Sequence, residues 1–213
     1  MTRRETLRRY RHLRAIVTDH HGAALEFVAE DTILEHAKRL GMAAGGTLVF
    51  EDEKQLTLLY DLALYTARVG RSRAIDRYAR AAQLPVGSDE SLVLEALRFA
   101  RFSIWRIERR HDLTGLILTD LRDGNEFWLI DENLRASAAN GWVFAARILQ
   151  PENFVMTNGV IVPVQPQTVE RLMPHVQAPP PCDQRGATGE SRLTTEVYRE
   201  AIDNHLMDRI ALR

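Results

Sequence analysis

The sequence predicts an α+β protein with a helical first half, followed by a five-stranded antiparallel small β-barrel (SH3-like or OB-like) and a C-terminal helix. Residues Phe102–Val164 form short apolar segments separated by turn residues. The residues before them have helical periodicity and almost no strand signal. These observations divide the chain into a helical subdomain (1–101), a barrel subdomain (102–175), a linker (176–190) and a terminal helix (191–213).

The barrel prediction depends on the turn signals between the apolar segments. Asp123-Gly124, Asn140-Gly141 and Asn158-Gly159 supply residues that accept the positive φ angles of tight turns. Consecutive strands joined by short turns predict an antiparallel meander of the size of a small barrel. The predicted strands are Phe102–Arg110, Leu116–Leu121, Glu126–Asp131, Trp142–Leu149 and a final hairpin of Phe154–Thr157 with Val160–Val164.

All three tryptophans of the chain, Trp105, Trp128 and Trp142, lie in this region. Large aromatic side chains are usually well buried, so we expect them to fill the barrel core or seal it against the helices. The alternative is that one of them is exposed and serves as a docking or stacking platform.

The helical segments are predicted from apolar periodicity and from their end signals. Leu56–Ala67 is apolar on nearly all sides, which is typical of a central buried helix. Thr32 with Glu35 forms a capping-box pattern, and Gly41 provides a stop. The predicted helices are Arg3–Val17, Ala23–Ala29, Thr32–Leu40, Leu56–Ala67, Ser72–Gln83, one that begins at Ser88, a short turn around Val169–Met173, and Thr194–Leu212.

Composition restricts the function classes. The chain has 213 residues, a net charge of −1 and a single cysteine, Cys182, so an internal disulfide and a cysteine-rich zinc site are excluded. No apolar run reaches membrane-spanning length, and the N-terminus has no signal-peptide core, so we expect a cytoplasmic protein without membrane contact. Phosphate-loop, dinucleotide and serine-hydrolase motifs are absent, and we expect no cofactor.

Arginine is concentrated on two predicted helices. Its spacing of three and four residues aligns the side chains along one helix face, where they could contact phosphates. The alternative is two solvated faces that pair with nearby acids such as Asp61 and Asp76, which the near-neutral total charge favours. The candidate nucleic-acid-binding residues are Arg4, Arg8 and Arg11 on the first helix and Arg73, Arg77 and Arg80 on the second.

A second candidate site lies at the ends of the predicted strands. His111, Asp120 and Asp131 could converge there as an acid/base cluster or bind a divalent ion. Strand ends also collect aspartates for conformational reasons alone. The histidines His12, His20, His21 and His36 lack the His-Glu-x-x-His spacing, so we predict no metal site from them.

Three segments resemble those of an uncharacterised bacterial protein family with no assigned function: Arg71–Tyr78, Glu108–Gly115 and Phe154–Gly159. The resemblance covers much of the chain. It implies a bacterial, cytoplasmic, full-length protein and brings no activity, substrate or site with it.

These observations favour a non-catalytic binding or adaptor protein, which would engage a protein or a nucleic acid through the small barrel and the arginine-rich helix faces. The alternative is a metal-dependent hydrolase that uses the histidines and the barrel aspartates. A third interpretation is a homo-oligomer whose C-terminal helix is exchanged between subunits.

Overall fold

The computed structural model describes residues 2–67, 70–137, 139–177 and 186–209. The helices are α1 (Arg3–Leu25), α2 (Glu30–Leu40), α3 (Glu53–Tyr65), α4 (Ala74–Ala81), α5 (Asp89–Arg98), α6 (Glu132–Ser137), α7 (Pro166–Gln177) and α8 (Gly186–Asp203), followed by a 3₁₀ turn (Leu206–Arg209). Two short strands, β1 (Ala43–Ala44) and β2 (Thr47–Leu48), form a small hairpin. The main sheet contains β3 (Arg101–Arg110), β4 (Leu116–Asp120), β5 (Glu126–Leu129), β6 (Val143–Leu149) and β7 (Met156–Pro163).

The α+β class and the five antiparallel strands are confirmed, but the barrel is wrong. The strand order is β5-β4-β3-β6-β7, and the outer strands β5 and β7 do not pair along their length. A single parallel bridge, Leu129 to Val155, links the two edges at one corner. Closure fails because β5 has only four residues before the chain turns into α6. The sheet is therefore open.

The predicted meander is also only partly correct. β3, β4 and β5 follow one another, but β6 returns to pair with β3 instead of β5. This is possible because β3 has ten residues and serves both neighbours: it pairs with β4 through Trp105–Arg110 and with β6 through Arg101–Arg106.

The predicted hairpin at Asn158-Gly159 is wrong, because both residues lie inside β7. The register places residues 158–160 opposite Arg147 alone, so the Asn-Gly pair forms a bulge. Gly159 has a φ of 118°, and its Cα faces the Arg14 guanidinium. The Asn158 amide donates to the carboxylate of Asp61, which lies on α3. The Asn158-Gly159 pair, which predicts a turn in the sequence, therefore produces a bulge within a continuous strand.

The predicted helix ends are partly confirmed. The C-cap at Gly41 is confirmed, with a φ of 78°. The capping box at Thr32 is wrong, because α2 begins two residues earlier and its N-cap is Ala29. The unpredicted helix α6 begins after Asp131, whose carboxylate accepts from the N–H groups of Asn133 and Leu134. The predicted central helix is confirmed as α3, with Leu58, Leu59 and Leu62 fully buried.

The burial prediction for the tryptophans is confirmed for Trp105, which is fully buried and donates from Nε1 to the Ala146 oxygen at 2.9 Å. Trp128 and Trp142 are half-buried. Trp128 donates to the Thr114 oxygen at 2.7 Å. The three side chains therefore pack against the sheet to different depths.

Helix α8 packs back on the body of the same chain, against α2, α3, β3 and β7. Its Tyr198 is fully buried, and the hydroxyl donates to Asp61 at 2.7 Å. Glu190 forms an ion pair with the buried Arg147 of β6. Residues 178–185 of the predicted linker, with Cys182, lie outside the described residues, and α8 already begins at Gly186.

The division into helical and sheet subdomains stays a prediction. One apolar cluster joins Leu58 and Leu62 of α3 with Phe102 of β3, Val162 of β7 and Val197 of α8. Within the described residues, none of the helices has the length and apolar character needed to cross a membrane.

Candidate functional site

An apolar groove beside α5 is the most distinctive surface among the described residues. Ser88 begins the helix, because its hydroxyl accepts from the Ser91 N–H at 3.2 Å. One face of α5 is buried in the core, with Val93 and Leu97 fully enclosed. The opposite face is also apolar, but Leu92 is 37% exposed and Phe99 is 75% exposed.

Phe99 is exposed because it lies where the helix ends. Its N–H still bonds to the Glu95 oxygen, but its φ and ψ of −95° and 4° lead the chain out of α5 and into β3 at Arg101. Leu92, Glu95, Ala96 and Phe99 recur at three- and four-residue spacing, so they line a single face. That face borders a groove.

The groove has a volume of about 550 Å³ and lies between α5 and the ends of the sheet strands. Four of the apolar side chains that line it are buried, namely Ala96, Ile148, Leu149 and Val155, so a ligand there would contact an apolar surface. The lining residues are Leu92, Glu95, Ala96 and Phe99 from α5, Arg101 and Phe127 from β3 and β5, and Ile148, Leu149, Gln150, Glu152 and Val155 from β6 and the loop after it.

Phe127 forms the wall opposite α5 and is held from both sides. Its ring meets Trp105 edge-on, with 5.6 Å between ring centroids. The Arg101 guanidinium lies 4.9 Å from the Phe127 ring centroid. This fixed aromatic wall makes the groove a preformed feature.

Arg101 is itself fixed by two aspartates. Its Nη2 lies 2.9 Å from Asp120 Oδ2 without hydrogen-bond geometry, so that contact is electrostatic. Its Nη1 donates to Asp123 at 3.2 Å. Burial tends to raise the pKa of Asp123, but hydrogen bonds from the Asn125 backbone and Arg101 outweigh it and lower this pKa.

The charges around the groove are already paired within the chain. Glu95 pairs with Arg98 and Glu152 with Arg9, each at 2.7 Å. Arg9 also binds the Asp89 carboxylate through two nitrogens, and this hydrogen bonding, with that from His12, lowers the pKa of Asp89 to about 2. Because these charged groups are paired, the part of the groove that remains available to a partner is apolar.

The model of a protein family described only as a family of unknown function, DUF7986, matches residues 4–179. The chain belongs to this family. The match confirms the expected uncharacterised family, while the bacterial origin stays a prediction. Neither the curated proteins nor the solved structures contain a match to the sequence.

The DUF7986 match spans every element that lines the groove, whereas α8 lies beyond it. Membership assigns no activity, so the remaining site predictions depend on geometry alone.

The predicted arginine row on α4 is engaged inside the molecule. Arg73 donates to Asp76 at 2.7 Å and to the Arg98 oxygen at 2.7 Å. Arg77 donates to the backbone oxygens of Ser72 and Phe27, and Arg80 donates to the Ser72 hydroxyl at 2.8 Å. Arg73 thus pairs with Asp76, an acid that the paired alternative named, whereas Arg77 and Arg80 bind backbone and hydroxyl oxygens.

The row on α1 is only partly engaged. Arg11 donates to both oxygens of Glu132, at 2.8 and 2.7 Å. Arg4 and Arg8 are exposed and make no hydrogen bond or ion pair with any described residue. Nucleic-acid binding by these arginines stays a prediction.

The structure does not bring His111, Asp120 and Asp131 together. Asp120 and Asp131 lie at opposite ends of the β4–β5 hairpin, as the pairing of Thr119 with Glu126 and of Leu116 with Leu129 requires. His111 stacks on Trp128 at 4.2 Å, Asp120 accepts from Ser103, and Asp131 accepts from Thr157.

The histidines are dispersed into separate contacts. His20 lies between the Tyr78 hydroxyl and the Glu90 oxygen, at 2.8 Å from each. His21 lies 2.7 Å from the Tyr65 hydroxyl, and burial lowers its pKa to about 4. Among the described residues, no group of three or more His, Cys, Asp or Glu side chains could hold a metal ion.

Sequence reasoning missed the role of Phe99. Its signal is an excess of apolar residues on α5, since Leu92, Val93, Leu94, Ala96 and Leu97 together exceed the single face that a packed helix buries. Such an excess indicates a second apolar face, although the sequence does not say what lies beside it.

Proposed function

We propose that the chain is a non-catalytic binding or adaptor protein whose partner is a protein that docks in the groove beside α5. The observation that carries this proposal is the 75% exposure of Phe99 at the lip of a preformed apolar groove. Exposed apolar patches with a polar rim mark protein interaction surfaces, and aromatic residues dominate the binding energy of such surfaces.

The groove favours an amphipathic helix as the docking element of the partner. Its volume of about 550 Å³ accommodates a few apolar side chains, as one face of a short helix presents. The paired charges of Glu95 and Glu152 form a polar rim that would orient such a helix without binding it strongly.

The experiment replaces Phe99 with the photo-crosslinking residue benzoylphenylalanine in the native host. Val86, which is fully exposed in the loop before α5 and does not line the groove, receives the same replacement as a control. We expect a discrete cross-linked protein from position 99 and none from position 86.

The identified partner is then purified, and its affinity is measured by calorimetry. We expect Phe99→Asp to weaken binding about tenfold or more, because it places a charge in the apolar contact. Val86→Asp should leave the affinity unchanged. Equal affinity for both variants, or cross-links that join only two copies of this chain, would contradict the adaptor role.

Nucleic acid is the second partner class, and exposed Arg4 and Arg8 are the observation that favours it. The hydrolase alternative used the histidines and the barrel aspartates. Asp120 lies at the opposite end of the β4–β5 hairpin from Asp131. No group of three or more His, Cys, Asp or Glu side chains among the described residues could hold a metal ion, so we do not propose the hydrolase further.

A further inference from the structure

A polar cleft of about 390 Å³ lies between α2, the end of α3 and the beginning of α4. It shares no residue with the groove beside α5. Its size is within the range of small-molecule sites. Small side chains keep it open, because Ala29, Ala63, Ala67 and Ala74 all line it.

Most charged groups of the cleft are already engaged. Glu35 forms an ion pair with Arg39 along α2. Arg77 crosses from α4 to the Phe27 oxygen, which ties the two sides together. These contacts fix the shape of the cleft, and they engage the charged ends of Glu35, Arg39 and Arg77.

Arg77 has no partner acid either, but two backbone oxygens hold its guanidinium. Asp31 and Arg71 are the acid and the base of the cleft that have neither an ion pair nor a short hydrogen bond with a described residue. Asp31 lies on the α2 side, is exposed, and accepts only a long hydrogen bond of 3.4 Å from the Thr32 hydroxyl. Arg71 lies on the α4 side, is exposed, and makes no hydrogen bond or ion pair with a described residue. Both line the cleft, yet they do not pair with each other.

An acid and a base held apart across one cleft match a ligand of opposite polarity. The Arg71 guanidinium can donate two parallel hydrogen bonds to a carboxylate. The Asp31 carboxylate can accept from an ammonium group. We propose that this cleft binds a small zwitterion, a molecule of amino-acid size that carries one carboxylate and one ammonium group.

The test uses the full chain and the twenty free L-amino acids as probes, each beside its methyl ester and its N-acetyl form. Thermal unfolding selects the amino acids that raise Tm, and calorimetry then measures their affinity. We expect at least one free amino acid to bind. Its methyl ester and its N-acetyl form should each bind about tenfold more weakly or worse, because each loses one charge-assisted contact.

Two variants assign the contacts. Arg71→Gln should weaken binding of the free amino acid about tenfold and abolish its advantage over the methyl ester. Asp31→Asn should weaken it similarly and abolish its advantage over the N-acetyl form. Both side chains are exposed, so the unliganded Tm should not change.

Arg110→Gln and Asp112→Asn are the matched controls, since both residues are exposed and neither lines the cleft. They should leave the affinity unchanged. The proposal is overturned if no amino acid binds at tens of millimolar or if the controls weaken binding equally. It is also overturned if inorganic phosphate binds as tightly as any amino acid and is unaffected by Asp31→Asn, which indicates a plain anion site.

Discussion

Arg147 is a charged side chain with no solvent exposure, and groups from α3 and α8 surround it. Its Nε donates to Asp61 at 3.1 Å, and its guanidinium lies 4.4 Å from the Tyr65 ring centroid. Asp61 accepts from Tyr198 and Asn158 as well. The charges of Asp61 and Glu190 raise the pKa of Arg147 against the effect of burial, so the buried group stays charged.

Removal of Arg147 should therefore destabilise the fold strongly. Arg147→Ala leaves the Asp61 carboxylate buried without its cation, which costs about 3–5 kcal/mol in the free energy of unfolding. Arg106→Ala is the control, because Arg106 is exposed and pairs only with Glu108, and such pairs contribute about 0–1 kcal/mol. Urea unfolding measures both. If the two substitutions lower the free energy of unfolding by amounts within about 1 kcal/mol of each other, the buried Arg147 is not central to stability.

The sequence indicates that the buried charged cluster around Arg147 exists, but it does not show which residues form it. Asp61 stands inside the apolar α3, and Arg147 stands inside the apolar β6, so each predicts a buried partner. Which acid meets which base depends on the packing of α3 on the sheet and of α8 on both. Those contacts join residues 86 and 43 positions apart. Sequence periodicity reports only nearby residues.

At the scale of the elements, helices were predicted better than strand pairing. Ser88 and Gly41 determine helix ends by hydrogen bonds within a few residues, and both predictions are confirmed. The return of β6 to β3 is a pairing between segments about forty residues apart, and turn signals do not encode it. The Asn158-Gly159 bulge shows the same limit, because its reason is Asp61 on a distant helix.

The arginine helices allow a test of the nucleic-acid alternative that does not disturb the fold. Charge reversal of the α4 row would break the contacts of Arg73 with Asp76 and of Arg77 with Phe27. Arg4→Glu with Arg8→Glu removes only exposed cations. If nucleic acid is the partner, this double variant should weaken binding to mixed RNA and DNA and flatten its salt dependence.

Fluorescence anisotropy at two salt concentrations measures the effect. The control is Arg199→Glu with Arg192→Glu, an exposed pair on α8 outside both arginine rows. If the wild-type chain and the Arg4/Arg8 variant bind nucleic acid with equal affinity, these arginines do not bind it, and a protein remains the proposed partner.

At the scale of the whole molecule, helices and sheet share two of the three apolar clusters found among the described residues. A second cluster joins Leu13 of α1 and Leu97 of α5 with Leu149 of β6 and Met156 of β7. A third cluster, around Trp105 and Leu118, lies within the sheet region alone. The two shared clusters still join the helices to the sheet, which predicts a single cooperative unfolding unit.

The distribution of chromophores makes this prediction easy to test. All three tryptophans lie between residues 105 and 142, whereas most helices lie elsewhere. Tryptophan fluorescence therefore reports on the sheet, and far-ultraviolet circular dichroism reports mainly on the helices. The two urea transitions should coincide; separate midpoints would instead support two independent subdomains.

The single bridge between Leu129 and Val155 has a consequence for aggregation. The Ile130 N–H donates to the Val155 oxygen at 3.0 Å, and the Val155 N–H donates to the Trp128 oxygen at 2.8 Å. These bonds occupy outward backbone groups at the end of β5, a strand that a neighbouring molecule would otherwise extend. The remaining part is short and begins with the exposed, charged Glu126. The contact between β5 and Val155, which does not extend far enough to close a barrel, thus protects the β5 edge from intermolecular strand addition.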